Sequence, residues 1–86
     1  MMTIEEVWNN IKSCEGQTFH TITGLPFQYE IHGDSFKLSR TNQNIGKVEV
    51  EKAFKQMPLR SSSQINSTVR GPSYVFALLK DERIYK

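Results

Sequence analysis

Residues 27–38 read Phe27-Gln28-Tyr29-Glu30-Ile31-His32-Gly33-Asp34-Ser35-Phe36-Lys37-Leu38. Apolar and polar residues alternate on both sides of Gly33-Asp34, the pattern of two strands joined by a two-residue hairpin turn. Such a loop pairs His32 with Ser35, Ile31 with Phe36, Glu30 with Lys37 and Tyr29 with Leu38. Every apolar residue then falls on one face. Glu30 meets Lys37 as an opposite-charge cross-strand pair, and a slip of one residue would turn every side chain to the wrong face. The hairpin, extended to residues 27–40, is the centre of the expected fold.

Outward from it, helices flank the sheet. Thr3 and Glu6 have the spacing of a capping box. Ile4, Val7, Trp8, Ile11 and Cys14 make one helical stripe ending before Gly16, so a helix is expected over 4–14. Residues 17–22 are rich in β-branched and aromatic side chains and read as strand, and Thr23-Gly24-Leu25-Pro26 reads as a turn. Val50, Ala53, Phe54 and Met57 recur at helical spacing, which predicts a helix over 47–57, with Glu51 and Lys55 paired on its surface and Pro58 as its stop. Residues 59–70 are polar and serine-rich, anchored by Leu59, Ile65 and Val69, and read as a loop with room for one helical turn. Gly71-Pro72-Ser73 then opens a run of six apolar residues, Tyr74 to Leu79. Pro favours the first helical position, so a buried C-terminal helix is preferred to a strand. The fold class is α+β: an N-terminal helix, a small antiparallel sheet, a helix at 47–57 and a buried C-terminal helix, in one domain spanning residues 1–86.

Composition narrows the setting. A single Cys14 cannot close an internal disulfide, which fits a reducing compartment. No apolar run is long enough for a bilayer span, and the first residues lack the basic and apolar regions of a secretory signal. A cytoplasmic protein without a membrane partner is expected. Nine aromatic residues supply much of the apolar content needed for a core.

Charge is segregated. Between residues 37 and 70, Lys37, Arg40, Lys47, Lys52, Lys55, Arg60 and Arg70 face only Glu49 and Glu51, a balance of +5 in a chain whose net charge is +2. Such a segment can present a basic surface to phosphate-rich partners. Arg40-Thr41-Asn42-Gln43-Asn44 reads as a contact loop for phosphates or base edges, or as an ordinary polar connection. Arg70-Gly71-Pro72-Ser73 reads as an anion site at a helix start, or as a plain turn into the helix. Lys47, Lys52 and Lys55 read as a helix face along a phosphate backbone, or as a solvated charged face. The nucleic-acid-binding set is therefore Arg40, Asn42, Lys47, Lys55, Arg60, Arg70 and Ser73.

The catalytic inventory is thin. His20, His32 and Cys14 form no metal or nucleophile motif, and Cys14 lies on an apolar stripe. The chain reads as a non-enzyme with no cofactor and no metal. Its partner is DNA or RNA, or alternatively another protein through an interaction or accessory-subunit role, including a homodimer.

Two stretches carry a resemblance: Arg70-Gly-Pro-Ser-Tyr-Val-Phe-Ala-Leu-Leu-Lys-Asp-Glu-Arg-Ile84, and Phe19 to Arg40 with its Gly24-Leu-Pro-Phe27 step. Together, over residues 17–84, they resemble a small uncharacterised bacterial domain whose copies occur alone or beside nuclease-like modules. The resemblance implies a prokaryotic source and a tie to DNA metabolism. No nuclease motif is present, so it implies an accessory or binding role, with Arg40, Arg70, Ser73 and Arg83 at prominent positions of the pattern.

Overall fold

The structure, a computed structural model, describes residues 2–85. Helix α1 spans Ile4–Ser13, and Thr3 and Glu6 close the expected capping box: the Glu6 N–H donates to the Thr3 hydroxyl at 3.2 Å and the Thr3 N–H to the Glu6 carboxylate at 2.9 Å. Val7, Trp8 and Ile11 point into the core. Gly16 takes the left-handed backbone, φ +85°, that ends the helix cheaply.

A short hairpin follows, β1 (Phe19–His20) against β2 (Pro26–Phe27). The strand expected over 17–22 is thus only two residues long. Thr21 explains the stop: its N–H donates to the Leu25 carbonyl, its carbonyl accepts from Gly24, and its hydroxyl accepts from the Leu25 N–H. These bonds close a turn that leaves Ile22 74% exposed.

The central hairpin is β3 (Tyr29–His32) against β4 (Ser35–Leu38), in the register read from the sequence at all four pairs. Its ladder is shorter than 27–40, because Phe27 belongs to β2 and Arg40 to the turn after β4. Tyr29, Phe36 and Leu38 are buried, whereas Ile31 on the edge strand is half-buried. Glu30 stands opposite Lys37 but the ion pair does not form; its carboxylate lies 3.5 Å from His32 Nε2 instead. On its outer side β3 is blocked by the chain following α1. The Glu15 carboxylate accepts the Ile31 N–H at 2.8 Å, and the Gly16 N–H donates to the Tyr29 carbonyl, which blunts an open edge.

The polar connection after the hairpin turns back as a third strand, β5 (Asn44–Gly46), giving the order β3-β4-β5. Ile45 pairs with Phe36 and is fully buried. Helix α2 spans Lys47–Phe54 and ends three residues before the expected 57. Cis Pro58 follows Met57, and a residue before proline is driven out of the helical region; the Gln56 and Met57 N–H groups close tighter turns onto Ala53 and Phe54. The expected Glu51–Lys55 pair is replaced by Glu49–Lys52 at 3.2 Å. Within the following loop, Ser62–Ile65 form a 3₁₀ turn capped by Ser61 and Gln64. Leu59, Ile65 and Val69 are all buried, as their isolation among serines implies. Helix α3 spans Pro72–Leu79, with Pro72 at its first position and Val75, Phe76, Leu78 and Leu79 buried.

One core joins these elements. Rings run across it from Phe27 to Phe19, Tyr29, Phe36 and Trp8, with successive centroids 5.2–6.3 Å apart, a range in which aromatic pairs attract. The Tyr29 hydroxyl donates to the Ile11 carbonyl at 2.5 Å, so this buried polar atom is satisfied and burial pushes the phenol well above its usual range. Cys14 is buried on the α1 stripe. Among the described residues, no helix is long and apolar enough to cross a membrane.

Candidate nucleic-acid interface

The outward stripe of α2 follows from its spacing. With Val50 and Ala53 turned inward, Glu49, Lys52 and Lys55 fall together on the other side at intervals of three. Glu49 organises this stripe. One carboxylate oxygen accepts the Arg70 backbone N–H at 2.8 Å, and the other accepts Lys52 Nζ at 3.2 Å. The Arg70 N–H above all, and then Lys52, hold the Glu49 carboxyl below its ordinary range, against partial burial. At the far end of α2, the Gln56 amide donates to the Thr68 hydroxyl at 3.2 Å. Residues 68–70 are therefore laid along α2, from its C-terminal end to its first turn.

Gly71 carries the path onward. Its φ of +62° is left-handed, and a Cβ there would stand 2.5 Å from Ile45 Cδ1 and 3.5 Å from Gln43 Oε1. Only glycine lets the chain pass this close to β5. The start of α3 is thereby seated against the turn between β4 and β5. That turn is closed by the Leu38 N–H to the Gln43 carbonyl and by the Asn42 N–H to the Leu38 carbonyl. Asn42 takes φ +56°, a conformation asparagine tolerates better than most residues, so its identity has a backbone reason. Arg40 projects from the turn, with one long contact from Nη1 to the Pro26 carbonyl, 3.4 Å.

Contacts thus join Lys52, by way of Glu49, to Arg70, and seat Gly71 by the turn that carries Asn42 and Arg40; Lys55 follows Lys52 at the end of α2, and the four cations and Asn42 are exposed along this route. The Lys55 ammonium and the Arg70 guanidinium have no hydrogen bond or ion pair among the described residues. Ser73 is exposed at the second position of α3, which has no side-chain cap. The backbone N–H groups of Gly71 and Ser73 have no acceptor among the described residues.

Two residues of the sequence-derived set lie off this route. Lys47 Nζ is held by both carboxylate oxygens of Glu5 at 2.8 and 3.0 Å, tying α2 to α1; that hydrogen bond raises its pKa. Arg60 lies beside His20, Ile22 and Lys80. Arg83, singled out in the sequence only through the resemblance, is a clamp. Its guanidinium is paired with both Asp81 oxygens at 2.9 Å, reaches Gln17 and the Thr18 carbonyl at 3.1 Å, and stacks 3.9 Å over the Phe19 ring. Sequence reading missed Gln43 and Thr68 as the residues that dock the two loops. Their only signal was position, each a few residues from an arginine.

No family model matches the chain, and no curated protein or solved structure matches it.

Proposed function

We propose that this chain is a non-enzymatic, cytoplasmic nucleic-acid-binding module that contacts phosphates along the route from Lys55 through Arg70 to Arg40. The observation that supports this reading is the seating of Gly71 against Ile45 and Gln43, which brings the two candidate loops, each carrying an exposed arginine, next to one another. Guanidinium and ammonium groups neutralise phosphates, while Ser73 and free backbone N–H groups supply neutral donors. Lys52 contributes less, because Glu49 already holds it. None of the described aromatic residues is exposed, so recognition runs through the backbone of the nucleic acid and not through base stacking. The resemblance to a bacterial domain found beside nuclease-like modules points toward the same accessory role. Fluorescence anisotropy with mixed-sequence duplex and single-stranded oligonucleotides tests the reading. Binding is expected at low salt and should weaken steeply as salt rises; no binding to either at low salt sinks it.

A protein-interaction role is the second reading. It is favoured by Val48, an apolar residue 60% exposed on the first turn of α2. Sedimentation velocity at rising concentration would then show a dimer that Val48→Asp dissolves.

A further inference from the structure

Arg60 belongs to a different feature from the route above. Between β1 and α3 lies an open concavity of about 320 Å³. Its apolar walls are Phe76, Ala77 and Ile22. Phe76 is buried, while Ile22 stands 74% exposed at the lip. An isoleucine left in water beside a hollow has apolar area to cover that nothing in the described chain covers.

The polar groups around it are almost all donors. The Arg60 guanidinium has no hydrogen bond or ion pair among the described residues, since only its backbone N–H is engaged, by the Gln64 amide oxygen. Lys80 Nζ donates to the carbonyl of Leu59, the residue before Arg60, at 3.3 Å. That bond brings the two cations to one rim and leaves Lys80 two further N–H donors. His20, exposed, also lines the hollow. The one carboxylate, Asp81, has both oxygens committed to Arg83 at 2.9 Å and so does not cancel the rim. The hollow therefore asks for one planar anion with an apolar body. A guanidinium fork matches a carboxylate in two parallel hydrogen bonds, and the wall of Ile22, Phe76 and Ala77 takes the hydrocarbon. A bare phosphate would leave that wall uncovered.

We propose that this concavity binds a small monocarboxylic acid with an apolar tail, its carboxylate on Arg60 and Lys80 and its tail against Ile22, Phe76 and Ala77. The volume lies at the small end of ligand pockets, which fits a free acid. The proposal is independent of the nucleic-acid reading, because Arg60 and Ile22 take no part in the route from Lys55 to Arg40.

The test is an amide-shift NMR titration of the full chain with 4-phenylbutyrate, matched against 4-phenylbutan-1-ol and 4-phenylbutylamine. Saturable shifts at His20, Ile22, Arg60, Ala77 and Lys80 are expected, with a dissociation constant on the order of 1 mM. The alcohol and the amine should bind at least about tenfold more weakly, and so should 4-phenylbutyrate to Arg60→Ala and to Ile22→Asp. Both substitutions are at exposed positions, and Lys12→Ala serves as the unaffected control. Equal binding of acid and alcohol, or undiminished binding to Arg60→Ala, would overturn the proposal. A further arm uses N-acetyl-Ala-Phe with a free or an amidated C-terminus. If the free-carboxylate peptide binds tighter than 4-phenylbutyrate, the hollow reads chain termini, and the free-acid assignment falls.

Discussion

The Glu49 carboxylate accepts the backbone N–H of Arg70 at 2.8 Å across 21 residues of sequence, and so fastens the entry of α3 to the first turn of α2. A charge-assisted bond of this kind, partly shielded, carries more than an average hydrogen bond. Glu49→Ala is therefore expected to destabilise the chain by about 1–2 kcal/mol, read as a lower urea midpoint. The side chain of Arg70 should then be less well placed, so oligonucleotide affinity should fall even though a negative charge has been removed. A rise in affinity instead would mean that Glu49 acts only as a repelling charge.

Acid sensitivity follows from the same carboxylate and from Asp81. Glu49 is lowered chiefly by the Arg70 N–H, and Asp81 chiefly by the Arg83 guanidinium. A carboxyl whose folded pKa is depressed contributes stability that is full above its unfolded value, about 4.3 for Glu and 3.9 for Asp. That stability is lost as pH falls through the folded value. The melting temperature should therefore hold from pH 7 to about 5 and decline below it. Glu49→Gln with Asp81→Asn should start lower at neutral pH and decline less steeply. Parallel curves for the two proteins would show that other carboxylates set the acid limb.

Gly71 and Gly33 separate backbone strain from close approach. Both have left-handed φ, +62° and +61°, but a Cβ at Gly33 meets nothing within 4 Å, whereas one at Gly71 meets Ile45 Cδ1 at 2.5 Å. Gly33→Ala should cost about 1 kcal/mol from backbone conformation alone, and Gly71→Ala about 2–3 kcal/mol. Ile45→Val removes the clashing methyl, so it should cost less in the Gly71→Ala background than in the native chain, a coupling of about 1 kcal/mol. Simple additivity in the urea midpoints would show that the loop, not Ile45, yields.

The hairpin was legible because its evidence is local: a period of two on each strand and a turn dipeptide between them, which leave one register. The α1 cap and the three anchors of the serine-rich loop were legible for the same reason. Strand β5 was not. Ile45 sits between Asn44 and Gly46, poor strand formers, and its strand character comes from pairing with Phe36. The early end of α2 was hidden because Met57 has the right spacing, and only the proline constraint on the preceding residue argued otherwise. Within the candidate interface, Lys47 and Lys55 look alike in sequence, each a lysine near an end of one helix. Packing against α1 gives Glu5 to Lys47, whereas Lys55 has no ion pair among the described residues. Such distinctions depend on contacts dozens of residues apart, which no local pattern encodes.

The structure gives Arg83 a holding role. Its guanidinium joins Asp81, Gln17, the Thr18 carbonyl and the Phe19 ring, binding the end of α3 to β1. Lysine cannot reproduce a planar fork that pairs and stacks at once. Arg83→Lys should thus cost about 1 kcal/mol, a figure kept low by the side chain's partial exposure. Its oligonucleotide affinity should stay at the native value wherever the protein remains folded. A loss of affinity without a loss of stability would move Arg83 into the interface.

The salt dependence of binding divides the seven sequence-derived residues most sharply. Arg40, Lys55 and Arg70 make no ion pair among the described residues, although the Arg70 charge reaches Glu49, whereas Lys47 is committed to Glu5 and Arg60 lies beside Lys80. Three phosphate contacts imply a slope of log K against log salt of about −2.7 on duplex DNA and about −2 on single strands. Arg40→Ala with Arg70→Ala removes two contacts and should flatten the duplex slope to about −0.9. Both residues are exposed, so the urea midpoint should hardly move. Arg60→Ala should leave the slope unchanged, and so should Lys12→Ala on the outer side of α1. If Arg60→Ala flattens the slope as much as Arg70→Ala does, the phosphates follow a different track and the route through Gly71 is wrong. If every cation contributes equally, including Lys12, the attraction is that of net charge alone and no interface has been formed.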